Sequence, residues 1–128
     1  MIFLLDTRDS VCRIAFIEGD KKFNDEWQSD RKLANGLLKY LQDNLELHGW
    51  TWQDIEAIGI FEGPGSFTSL RIGLTVANTL ASSLAVPIVG ARGDDWQAEA
   101  LEKIHNKQDA QIVMPFYGSE ANITTPRK

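Results

Sequence analysis

The sequence predicts an α/β fold, a single lobe in which a mixed five-stranded sheet is flanked by helices. Three observations carry that expectation. Short apolar runs rich in β-branched and aromatic residues recur at 2–5, 11–17 and 56–61. Leu33, Leu37, Leu41 and Leu45 repeat every four residues, which is helical spacing. Glycine and proline punctuate the boundaries, most densely in Gly63-Pro64-Gly65-Ser66.

Taken in order, Ile2 to Leu5 and Val11 to Ile17 flank the polar cluster Asp6-Thr7-Arg8-Asp9-Ser10, a hairpin signal. Lys22 to Trp27 follows the turn residues Gly19 and Asp20 and reads as an edge strand. The leucine stripe makes Leu33 to Leu47 a helix that ends near Gly49. Thr51-Trp52-Gln53-Asp54 reads as a capped short turn before a buried strand, Glu56 to Phe61. Phe67 to Leu84 is a second helix, and Pro87 introduces a strand at Ile88 to Gly90. A third helix is expected from Trp96 to Ile104, within about 94–106, then a short strand at Ile112 to Met114 and a polar tail over 122–128. No repeat or linker divides residues 1–128, so one domain is expected, in a layered arrangement resembling a ribonuclease-H-like lobe of the actin and hexokinase class.

With 43% hydrophobic and 24% charged residues, 128 residues suffice for a core without a disulfide or metal staple. The one cysteine, Cys12, sits in an apolar run and reads as a buried structural thiol. MIFLL is too short for a signal-peptide core and runs directly into Asp6. No window approaches the roughly 18 apolar residues of a membrane span, so a cytoplasmic protein without membrane contact is expected. A formal charge of −5 opposes binding a nucleic-acid backbone alone.

Gly63-Pro64-Gly65-Ser66 lies between a strand and a helix. Ser66 is placed to cap the helix, and the same amides would suit an anion such as phosphate. The P-loop lysine is missing, which favours the structural turn. From Gly63 to Gly90 the only charged residue is Arg71, while Leu70, Ile72, Leu74, Val76, Leu80 and Leu84 spread around the axis. A helix apolar on all sides must be covered on all sides. Gly73, Ala77 and Ala81 would permit close approach of another helix. A partner surface is therefore expected at Leu70, Arg71, Gly73, Leu74, Ala77 and Ala81, with Leu37 and Leu41 on the neighbouring helix. Four more aliphatic side chains buried there would contribute on the order of 6–12 kcal/mol before association costs.

GPGSFTSLRIG at Gly63 to Gly73 is similar to the GPGSFTGLRIG signature of the TsaB (YeaZ) family of tRNA threonylcarbamoyladenosine synthesis. LLDT with VCRIAF resembles that family's first two strands, WQDIEAIGI its approach to the signature, and VPIVG the strand after it. Beyond Gly93 one helix stands where the family usually continues into a second lobe, and PFYGSEANITTPRK resembles the closing tail of some members. The resemblance thus implies a short form with most of the second lobe missing and the tail at about 112–128 retained. Arg8 stands where a serine often follows the Asp-Thr pair, and Ser69 replaces a signature glycine. The family implies a noncatalytic subunit that binds TsaD, the subunit modifying the adenosine next to the anticodon. TsaE is a further partner, and tRNA is met only through the complex. On this reading Asp6 and Thr7 are relics of a phosphate loop, and no cofactor is expected.

Other chemistry finds little support. His48 and His105 are isolated and read as surface residues, and Cys12 has no partner cysteine for a metal. Asp94-Asp95 and Asp25-Glu26 read as solvated turns, and the four tryptophans as packing anchors. Two alternatives stay open: an independent nucleotide-binding hydrolase or peptidase built on the GPGSF helix start, and a homodimeric interaction module using the same helix.

Overall fold

Residues 1–117 are described by the computed structural model. Five strands, β1 (Ile2–Asp6), β2 (Val11–Glu18), β3 (Lys21–Gln28), β4 (Ala57–Phe61) and β5 (Ile88–Ala91), form one sheet in the order β3-β2-β1-β4-β5. The β1–β2–β3 meander is antiparallel, whereas β1–β4 and β4–β5 are parallel, so the sheet is mixed as the sequence predicts. Three helices, α1 (Leu33–Leu47), α2 (Phe67–Leu84) and α3 (Trp96–His105), complete the lobe.

Side chains alternate across a strand, and the register sorts them. Phe3 pairs with Phe16 and Ile58 on the face covered by α1 and α2. Leu4 pairs with Gly59 on the opposite face, where a Cβ on Gly59 would meet Ala100 and Ile104 of α3. Three layers result, with α2 over β1, β4 and β5 and α3 over β4 and β5. Leu4, Leu5, Ile58, Ile60, Leu37, Leu70 and Ile88 are fully buried between them. The parallel strands β4 and β5 are buried along their whole length, as expected of strands covered on both faces.

Aromatic contacts hold α1 to the meander. Trp27 and Tyr40 lie 5.0 Å apart, and the Tyr40 hydroxyl donates to Asp25 Oδ2 at 2.5 Å. At the C-terminus of α1 the Trp50 amide donates to the Leu45 carbonyl at 2.9 Å. His48 is half-buried, packing on Phe23 at 4.7 Å and on Trp50 at 5.5 Å. His105 is exposed. Asp25 and Glu26 belong to β3 rather than to a turn, while Asp94 and Asp95 precede α3 as exposed residues. Thr51 and Asp54 form the expected reciprocal cap, here on a 3-10 turn.

Ile112 to Met114 is not a strand. This stretch crosses α2, where Asn78 Nδ2 donates to the Val113 carbonyl at 3.0 Å and the Val113 amide donates to Asn78 Oδ1 at 2.9 Å. One side-chain amide thus takes the place of a neighbouring strand. Val113 is buried by this clamp, and the next contact is the Phe116 amide donating to the Glu62 carbonyl at 2.8 Å. The segment expected at 122–128 lies outside the described residues.

Replacing Asn78 removes both bonds to a buried peptide unit. Asn78→Ala is expected to cost about 2–4 kcal/mol in urea denaturation, whereas the exposed Thr79→Ala should lie within about 0.5 kcal/mol of the parent. Equal values for the two would contradict the clamp.

Candidate functional site

The signature turn is built by close approach of other chain segments to its glycines. Gly63 has φ +131°, a conformation open chiefly to glycine, and a Cβ there would strike the Phe116 carbonyl. Pro64 follows through a cis peptide. A Cβ on Gly65 would lie 2.8 Å from the Arg8 carbonyl oxygen, and the Ser66 amide donates to that oxygen at 2.7 Å. Nearly two turns into α2, a Cβ on Gly73 would collide with Thr7 Oγ1, which donates to the Ser69 carbonyl at 2.8 Å. The Asp6-Thr7-Arg8 loop therefore lies directly against the start of α2.

Ser66 is the N-cap residue but makes no side-chain capping bond, contrary to expectation. Its backbone anchors the helix start instead, through the amide bond to Arg8 and a carbonyl that accepts from Leu70 at 2.9 Å. Pro64, Gly65 and Ser66 are exposed.

Asp6 and Thr7 are buried. Arg8 Nε donates to both Asp6 carboxylate oxygens at 3.2 and 3.0 Å, and Arg8 Nη2 lies 2.9 Å from Oδ2. The Arg8 amide adds a fourth contact at 3.0 Å, and the guanidinium lies 3.7 Å from the centroid of the Phe61 ring. A buried carboxylate needs such compensation. The chain's own cation thus holds the acid that a phosphate-loop reading would assign to a ligand.

Cys12 is the expected buried thiol. Burial, reinforced by the Asp6 charge, pushes it up to about 12. Such a thiol is inert near neutral pH. Among the described residues no cluster of three or more His, Cys, Asp or Glu is placed to hold a metal, and no helix is long and apolar enough to cross a membrane.

The expected partner face requires correction. Leu70, Gly73, Leu74, Ala77 and Ala81 of α2, and Leu37 and Leu41 of α1, are all buried within the lobe. Their small members serve close packing of α2 on the sheet, Gly73 against Thr7 being the clearest case. Only Arg71 of that set is exposed. The accessible face lies on another side of α2, where α1 and α2 sit side by side and leave an apolar groove.

Two adjoining cavities of about 550 and 440 Å³ share Ala34, Thr68 and Ile72. The smaller is completed by Phe67, Arg71, Thr75 and Val76. The larger extends to Asp9, Ser10, Asp30, Arg31, Ser66 and Ser69. Phe67 is 56% exposed, and Leu38, one turn beyond Ala34 on α1, is 53% exposed. Ser69, which departs from the family signature, faces this space. Phe67, Ile72 and Val76 are the residues that sequence reasoning missed as site residues. Thr68, Thr75, Thr79 and Ser82 mark the exposed side of α2 and were the available signal.

A family model described as TsaD: tRNA N6-adenosine threonylcarbamoyltransferase matches residues 28–117. The tRNA threonylcarbamoyladenosine biosynthesis protein TsaB of Escherichia coli is 33% identical over 90 residues, which cover 70% of this chain and 38% of that protein. The protein of the same name from Haemophilus influenzae is 24% identical over 108 residues, or 84% of this chain and 46% of the relative. Among solved structures, YeaZ from Pseudomonas aeruginosa superposes with a TM-score of 0.67 at 28% identity, covering 71% of this chain and 43% of that one. The chain spans less than half the length of these relatives.

Gly73 offers a test of the packing. Within a helix, Gly→Ala ordinarily stabilises by up to about 1 kcal/mol. The approach of Thr7 should reverse that sign, so Gly73→Ala is expected to destabilise by about 1–3 kcal/mol in denaturant unfolding. Adding Thr7→Ala should restore part of the loss. Stabilisation by Gly73→Ala alone would refute the contact.

Proposed function

The chain belongs to the family described by the matching TsaD model, as a TsaB/YeaZ-like member, and from that membership we propose that it acts in tRNA threonylcarbamoyladenosine biosynthesis as a noncatalytic subunit binding TsaD. The observation that carries this reading is the exposed apolar groove between α1 and α2, formed on the signature helix itself. Exposed apolar surface gathered in a groove supports a contact with another macromolecule. Phe67 is a large exposed side chain that docking would bury, and Ile72 and Val76 line the same cavity.

Two further features agree with a supporting role. Arg8 occupies the carboxylate of the phosphate-loop relic, which disfavours nucleotide chemistry at Asp6. The net charge of −5 leaves the grip on tRNA to other subunits, so tRNA is met only through the complex, with TsaE as a further member. On this reading the protein works in the cytoplasm.

The test is co-expression with TsaD of the same organism followed by size-exclusion chromatography. The two chains should co-elute. Phe67→Asp and Val76→Asp should each weaken the complex by about ten-fold or more, because each places a charge in the apolar contact. Ala98→Asp on α3, on the opposite side of the sheet, should leave it unchanged. Leu74→Asp is unsuitable, since Leu74 is buried and its loss would unfold the lobe. Absence of co-elution with both proteins folded would overturn the proposal.

A further inference from the structure

The two edges of the sheet are finished differently. At one edge, β3 carries Lys21, Lys22, Asp25 and Glu26, charges that oppose pairing with another strand. At the other, β5 is Ile88-Val89-Gly90-Ala91, buried and uncharged. The Ile58 amide donates to the Pro87 carbonyl and the Glu62 amide to the Ala91 carbonyl. Peptide groups alternate in direction along a strand, so Ile88 and Gly90 turn theirs away from β4. The 109–117 segment and α3 meet those outward groups. The Ile88 amide donates to Asp109 Oδ1 at 3.1 Å, and the Ile88 carbonyl accepts from the Ala110 amide at 2.8 Å. Lys103 Nζ donates to the Gly90 carbonyl at 2.7 Å. The Asn78 clamp on Val113 holds the segment in place, as does the Arg92 guanidinium, 3.7 Å from the centroid of the Phe116 ring.

We infer that residues 109–117 are a strap that seals the β5 edge, and that opening it makes β5 a strand-addition site for β5 of a second copy. An apolar edge with unpaired amides and carbonyls is a template for another strand. β3 blunts its edge with its own charges. β5 has none and depends on Asp109, Ala110 and Lys103 instead. The strap therefore does for β5 what lysine and glutamate do for β3.

A second copy fits the opened edge by symmetry. Antiparallel pairing about Val89 sets Ile88 of one copy opposite Gly90 of the other, and the reverse. Each such pair exchanges both of its backbone bonds, and the strand brings no like charges together. The contact is isologous, so it closes at two chains rather than growing into a fibre. It lies at the sheet edge, apart from the α1–α2 groove.

The experiment combines residue-resolved amide exchange with light scattering of the full chain. Asp109→Ala should speed exchange at Ile88 by about thirty-fold or more while leaving Leu5, in the centre of the sheet, unchanged. Asp109→Asn keeps the acceptor oxygen and should retain most of the protection. Unchanged exchange at Ile88 in Asp109→Ala overturns the seal. Asn78→Ala, Lys103→Met and Asp109→Ala combined open the edge. That variant should double in mass relative to wild type between about 1 and about 100 µM, and protection of Ile88 and Gly90 should return as it does. An unchanged mass overturns strand addition. So does a doubled mass with Ile88 and Gly90 still exchanging fast, because the copies then meet elsewhere. Where the combined variant also loses protection at Leu5, Lys103→Met with Asp109→Ala carries the same test with the Asn78 clamp intact.

Discussion

The lobe depends on the contact between the Asp6-Thr7-Arg8 loop and the first two turns of α2. Thr7 Oγ1 reaches the Ser69 carbonyl, Ser66 donates to the Arg8 carbonyl, and Gly65 and Gly73 leave the space both contacts need. These bonds seat α2 over β1 and β4 and so fix which of its sides faces the sheet. Leu70, Leu74, Ala77 and Ala81 are then buried, and Phe67, Arg71 and Val76 are turned toward α1 and solvent. Gly63 adds the last constraint by leaving room for the Phe116 carbonyl, while the Phe116 amide donates to the Glu62 carbonyl and ties the 109–117 segment to the same turn.

A glycine-rich strand-to-helix turn has two physical uses, to expose amides to an anion or to let other backbone approach. In this protein the second use is realised at Gly63 and Gly65, which the backbones of Phe116 and Arg8 approach. Arg8 completes the arrangement by holding the buried Asp6 carboxylate through three guanidinium contacts. The accessible surface that remains on the signature helix is an apolar groove lined by Phe67, Arg71, Ile72 and Val76 and continued past Arg31, just before α1.

The architecture was legible because two periods were distinct in the sequence. The four-residue spacing of Leu33, Leu37, Leu41 and Leu45 specified α1 and its buried side, and the β-rich runs placed all five strands. The rotational setting of α2 was not legible. Apolar residues surround its axis, so pattern alone assigned Gly73, Ala77 and Ala81 to a partner when they pack inward. Thr7, which decides the matter, lies 66 positions before Gly73 in the chain. Ile112 to Met114 has strand-like composition, yet its hydrogen bonds go to the Asn78 side chain, a pairing no local pattern encodes. The packing of the half-buried His48 was hidden for a similar reason, since Phe16, Phe23 and Trp50 converge on it from separate parts of the chain.

The central claim is that the signature turn is closed by the chain's own Thr7 and Arg8 and acts as a packing device rather than a phosphate site. Calorimetric titration of the purified chain with magnesium-ATP and with ADP tests this most directly. The account predicts no saturable binding of either nucleotide up to millimolar concentration. A micromolar dissociation constant that is lost on Asp6→Asn would contradict it and restore the turn as a phosphate site.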